Sequence, residues 1–214
     1  MVSTELEVRP RLRGASHALA AAASLPAGAW LIGQAPTTAS RLATGIYAVT
    51  MIAVFAASAT YHLGRWAGRS RRAAKAADHV AIFCFTAASY GPLGVLRLSE
   101  LTAAVWLGAL WVGVVVGAVV KVRTLDRLGG PADLMYGLIG GSSVLLLPTL
   151  VHRLTTLELA LLVVGMLCYA LSAYCLKFRR PNPWPATFGY HECAHLWVVG
   201  GAVSHTVFNA MLFR

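Results

Sequence analysis

Two histidines four residues apart, His191 and His195, flank a glutamate in the stretch HECAH. In a soluble protein this spacing suggests a zinc protease, with the intervening glutamate as general base. Here it opens the apolar run FGYHECAHLWVVGGAVSHTVFNAML. On a helix, residues four apart lie one above the other, so both imidazoles can address a single ion. Cys193 lies about 200° around the helix from His191 and points elsewhere. His205 is fourteen residues beyond His191, about 21 Å along a helix axis, too far to share an ion and suited to a hydrogen-bonded place in the core.

An open zinc site takes three protein ligands and leaves one position for water. His62, at the end of SATYH, is the candidate for the third ligand. Ser58 precedes it by one turn and shares its face. Asp78 is suited to hydrogen-bond either a metal-bound water or a ligand imidazole, because a carboxylate at a membrane boundary needs such a partner. Taken alone, each of these residues also fits a structural role, as an interhelical hydrogen-bond partner or a cap. His17 and His79 come next, as residues that would support the ligands. His152 falls in a loop on the opposite side.

These residues must be carried by membrane helices. Of the 214 residues 57% are hydrophobic and only 12% charged, with a mean hydropathy of +0.66, which is far from a soluble domain and places the chain in a lipid bilayer. Stretches of about 20 apolar residues predict helices over 15–34, 41–63, 79–97, 101–120, 132–150, 156–176 and 188–212. The expectation is an all-α, polytopic protein, a seven-transmembrane helix bundle forming a single domain over 1–214. The basic N-terminus followed by an apolar stretch resembles a signal peptide, but the stretch is long for one and is expected to remain as the first helix.

The net charge of +10 does not indicate nucleic acid, because the basic residues punctuate apolar runs instead of forming one face. They report orientation instead. Arg9, Arg11, Arg13, Arg65, Arg69, Arg71, Arg72, Lys75, Lys121, Arg123, Arg127, Lys177, Arg179 and Arg180 fall on one side, against Arg41, Arg97, Arg153 and Arg214 on the other. The N-terminus is therefore predicted inside and the C-terminus outside. His62, Asp78, His191 and His195 then meet at one depth near the inner face. Cys84, Cys168, Cys175 and Cys193 all sit in apolar segments and read as small buried hydrophobes.

SATYH (58–62), DHVAIFCFTAASYGP (78–92) and HECAHLWVVGGAVSH (191–205), in that order across seven spans, resemble the hemolysin III family, the bacterial branch related to the progestin and adipoQ receptors. The resemblance covers the chain from RPRLRG onward. It implies a zinc ion near the cytoplasmic side held by His62, His191 and His195, with Asp78 holding a zinc-bound water and Ser58 nearby. It does not require Glu192, which stays a secondary candidate for the general base, with a place among headgroups at the membrane edge as the other reading. The chain lacks the long N-terminal extension of the animal receptors, which argues against a hormone-receptor role. The leading expectation is a cell-membrane zinc-dependent hydrolase of lipid amide bonds, ceramide-like, or of lipid esters, with Asp78 and Ser58 as catalytic candidates. A receptor or regulator with structural zinc is the alternative, and a pore-forming cytolysin is the third.

Overall fold

The computed structural model describes residues 9–126 and 130–214. Residues 1–8 of the expected single domain, and Arg127 among the inner basic residues, lie outside the described part. The helices are α1 (Ala15–Gln34), α2 (Thr38–Leu63), α3 (Gly68–Ala88), α4 (Gly91–Arg97), α5 (Glu100–Arg123), α6 (Pro131–Gly140), a 3₁₀ turn (Ser142–Leu146), α7 (Leu147–Leu150), α8 (Thr156–Phe178) and α9 (Tyr190–Met211). The described residues contain no β-strand, only one isolated bridge between Trp184 and Phe188.

Local chemistry sets most of the ends. Thr37 and Ser40 cap α2 reciprocally, and Thr155 and Glu158 do the same for α8, each satisfying donors that a helix start leaves without partners. Ser99 accepts from Thr102 N–H to start α5.

Two elements differ from the predicted spans. The third helix begins at Gly68, eleven residues before the expected start, because GRSRRAAKAAD is rich in good helix formers that need no membrane. It then breaks at Ser89–Tyr90 ahead of Pro92, which sits in the first turn of α4. The fifth stretch is broken at Gly140–Gly141 and again before Pro148.

Six segments are long and apolar enough to cross a membrane, counting α3 with α4 and α6 with α7 as one each. The protein is thus a multi-pass membrane protein. α9 has 22 residues but is not among the six, since His191, Glu192, His195, His205 and Asn209 lower its hydropathy.

Packing runs α1 on α2, α2 on α3, α3 on α5, and α8 on α9, with α9 returning to α1. One buried cluster joins Phe83, Tyr90, Leu93, Trp106, Leu110, Ile139 and Phe208. A second, of Leu31, Tyr47, Met51, Phe55, Phe85 and Ala202, ties α1, α2, α3 and α9 together beneath the histidines. The outward faces of α5 and α8 expose Val105, Val112, Val115, Leu167 and Leu171, as a lipid-facing surface requires. The one lysine buried in these walls, Lys121, pairs with Asp133 at 2.7 Å.

Candidate metal centre

α2 and α9 bring three imidazoles to one point. His62 stands in the last turn of α2, His191 and His195 in the first two turns of α9, and one ring nitrogen of each lies within 4.8 Å of the others. The Nε2 atoms of His62 and His191 are 3.1 Å apart. Zinc–nitrogen bonds of about 2.0–2.1 Å at the tetrahedral angle put ligand nitrogens about 3.3 Å apart, so this pair already has the spacing of two ligands on one ion. The rings of His62 and His195 lie 4.9 Å apart and those of His191 and His195 4.5 Å, both edge to face, an arrangement that turns nitrogens toward a shared centre instead of stacking the rings away. Three neutral imidazoles suit zinc, copper, iron or nickel. The cluster can therefore hold a metal ion.

Asp78 sits mid-helix on α3, because that helix starts earlier than expected, and not at its opening. Its carboxylate Oδ2 is 3.8 Å from His62 Nε2 and 3.7 Å from His79 Nδ1. The site is enclosed, with the His62 side chain 10% exposed and that of Asp78 9%. Ser58 is buried one turn before His62, but none of the hydrogen bonds, ion pairs or ring contacts among the described residues runs to its hydroxyl. His79 is held in place at its backbone, where its carbonyl accepts from Tyr136 Oη at 3.0 Å.

Two residues outside the ligand set complete the surroundings. His17, from α1, stacks flat on His195 with ring centroids 3.8 Å apart and planes 9° apart, and meets Phe55 edge-on. It is buried, and neither ring nitrogen has a protein hydrogen-bond partner. Gly14, at the start of α1, has φ +85, and a Cβ there would fall 2.9 Å from the Cβ of His62. Only glycine combines that backbone with so close an approach to the end of α2.

Glu192 does not face headgroups, contrary to expectation. It is 2% exposed, its Oε2 accepts from the Gly189 N–H at 2.8 Å, and its Oε1 forms an ion pair with Arg13. The glutamate of HECAH is thus occupied as the cap of α9. A glutamate three residues after the N-cap and ahead of an apolar run, reaching back to the Gly189 N–H, is the half of a capping box that the sequence carries. Arg13 carried no such signal, since its partner lies 179 residues away. The segment around it is also stitched to the approach to α9, with Arg11 N–H donating to Ala186 O at 3.1 Å and Leu12 N–H to Thr187 O at 3.0 Å.

His205 is separate from this centre, buried with Nε2 3.3 Å from the Leu162 carbonyl. The four cysteines are free; Cys175 and Cys193 pack together with Ala194, away from the histidines.

The profile of the family described as Haemolysin-III related matches residues 7–206. The chain is also 25% identical over 201 residues to a protein named Hemolysin-3 from Bacillus cereus, a match covering 92% of this chain and 88% of that one. With a family match running from the segment before α1 to within the last helix, the chain belongs to the haemolysin-III-related family.

Proposed function

We propose that the protein is a seven-span enzyme of the cell membrane, N-terminus inside and C-terminus outside, that uses zinc to hydrolyse an amide or ester bond of a lipid. The observation that carries this reading is the meeting of His62, His191 and His195 with Asp78 beside them, inside the apolar bundle. α9 is the seventh span, its polar residues turned into the protein.

When bound, zinc polarises a substrate carbonyl and lowers the pKa of a coordinated water to about 7. His62, His191 and His195 hold the ion. Asp78, placed between His62 and His79, would orient the water, accept its proton at Oδ2 and return that proton to the leaving amine or alkoxide. The three-histidine set would supply no charge of its own, and Asp78, 3.8 Å from His62, would supply a carboxylate beside it. The burial of His62 and Asp78 excludes bulk water, which strengthens both interactions. Ser58, one turn from His62, lines the approach and offers a hydroxyl to the substrate. A site at this depth selects substrates that reside in the bilayer, and a ceramide-like amide presents its carbonyl near the headgroup layer. Glu192 takes no part in proton transfer because its two oxygens are engaged.

Metal content per chain, measured on purified protein, tests the ligand set: about one zinc in the native chain, and loss in His62→Ala and His191→Ala. Fatty-acid release from a panel of lipid amides and esters tests the chemistry. Asp78→Asn should keep the metal and lose the release. A zinc-loaded protein that cleaves none of these lipids overturns the enzyme reading and leaves the metal as a structural tie between α2 and α9, the receptor-like alternative.

A further inference from the structure

A second site lies at the start of α3, on the end of the bundle that carries the histidines. Gly68, Arg71, Arg72, Lys75, Leu125 and Asp126 line a half-open pocket of about 230 Å³, well above the roughly 10–15 Å³ that one water needs. Arg71 and Lys75 are one turn apart, and Arg72 lies beside them on the same side of the helix. Two of the three cations are anchored: Arg72 Nη2 donates to the Val122 carbonyl at 3.2 Å, and Lys75 Nζ donates to Asp126 Oδ1 at 2.9 Å. Both arginines are exposed. α3 has no side-chain cap, so its leading N–H groups and the positive end of its dipole add to the same field.

One carboxylate, itself 82% exposed, does not balance three cations. Lys75, Arg72 and Arg71 all act on Asp126 and hold its carboxyl below the usual range, which shows that their charges converge on one spot.

The apolar surroundings select the source of an anion. Val115, Val119 and Val122 recur at positions four and three apart along α5, all exposed. This strip ends at the carbonyl that anchors Arg72, and Ile82 of α3 is exposed on the neighbouring helix. A free phosphate would use the cations and leave the strip bare. A phospholipid uses both, its phosphate in the cavity and an acyl chain along the valines.

We infer that the pocket between the start of α3 and the end of α5 binds the phosphate of an anionic phospholipid, with one acyl chain laid on the Val115–Val119–Val122 strip. This site is independent of the metal centre and of the reaction proposed there.

The test is native mass spectrometry of the full chain in neutral detergent, titrated in turn with phosphatidylglycerol, with phosphatidylcholine of the same acyl chains, and with inorganic phosphate. One phosphatidylglycerol per chain is expected to survive detergent removal, with phosphatidylcholine and phosphate lost. Arg71→Gln/Arg72→Gln should weaken retention about tenfold or more, whereas Arg65→Gln/Arg69→Gln, which removes two charges that are also exposed but do not line the pocket, should change it by less than about twofold. Asp126→Asn should tighten binding by removing the competing carboxylate, a gain that a misfolded protein cannot mimic. Equal losses from both arginine pairs, weaker binding in Asp126→Asn, equal retention of the two lipids, or displacement of the lipid by phosphate would each overturn the assignment.

Discussion

Replacing Glu192 by alanine removes, in one step, the cap of α9 and the partner of Arg13. The carboxylate accepts a charge-assisted hydrogen bond from Gly189 N–H at 2.8 Å, a type that contributes about 1.5–3 kcal/mol. Breaking a buried ion pair from one side costs about 3–5 kcal/mol. Arg13 keeps some water, its side chain being 20% exposed, so the lower end of that range applies, and the two terms share one carboxylate and do not add in full. The expected loss is about 3 kcal/mol, or roughly two decades in the folding equilibrium. Glu192→Gln keeps an acceptor for the Gly189 N–H and should cost about 1–2 kcal/mol. Titration with a denaturing detergent, followed by far-UV circular dichroism, measures both. A double cycle with Arg13→Gln should return a coupling above about 1 kcal/mol, as contacting charged residues do. Zinc content in Glu192→Gln should match that of the native chain at saturating metal. A Glu192→Ala protein within about 0.5 kcal/mol of the native chain, the range of ordinary surface changes, would refute the reasoning and return Glu192 to the list of free carboxylates near the metal.

Further outcomes follow from the same geometry. Gly165→Ala places a Cβ 2.2 Å from His205 Cδ2 and 2.4 Å from its Nε2; a buried ring cannot yield that far cheaply, so a loss of about 1–3 kcal/mol is expected in thermal unfolding. Gly14→Ala should lower the melting temperature and the zinc content together, because the new methyl presses on the Cβ of His62 at 2.9 Å and the backbone stands at φ +85. The Asp126 carboxyl should titrate below the ordinary range, through the Lys75 hydrogen bond first and its charge second. As for any carboxylate with a lowered folded-state pKa, the contact is fully present above the unfolded pKa and is lost as pH falls through the folded one. A ¹³C NMR titration in which Lys75→Met leaves the midpoint unchanged would contradict this. Acidification should also release zinc, since protons compete for the three imidazoles, and metal content across a pH series reads this directly.

Much of this was legible in the residues. The ends of α1 follow from apolar length, and the starts of α2, α5 and α8 from apolar length plus Thr, Ser and Glu caps; the four-residue spacing of His191 and His195 fixes a common face whatever surrounds it. His62 required one long-range inference, that the end of α2 and the start of α9 share a depth. The rest depended on information that a linear pattern does not carry. The early start of α3 was hidden because a basic, alanine-rich segment fits both a loop and a helix projecting from the bilayer. The failure of α9 to reach the apolarity of the other spans comes from the same polar residues that make it interesting. The stacking of His17 on His195 and the pairing of Arg13 with Glu192 join opposite ends of the chain, and only tertiary packing selects those partners.

The pairing of His62 with His191 spans 129 positions, which gives the centre a history during synthesis. At about 5–20 residues per second, roughly 6–26 s pass between the addition of His62 and that of His191. Through that interval the second helix has neither its partner imidazoles nor the docked amino-terminal strap, since Ala186 and Thr187 are also made late. A metal held by all three imidazoles would therefore be taken up late in biogenesis, once the start of α9 has been made. A chain truncated before Tyr190 lacks two of the three imidazoles, so loading of such a site would depend on synthesis reaching at least His195.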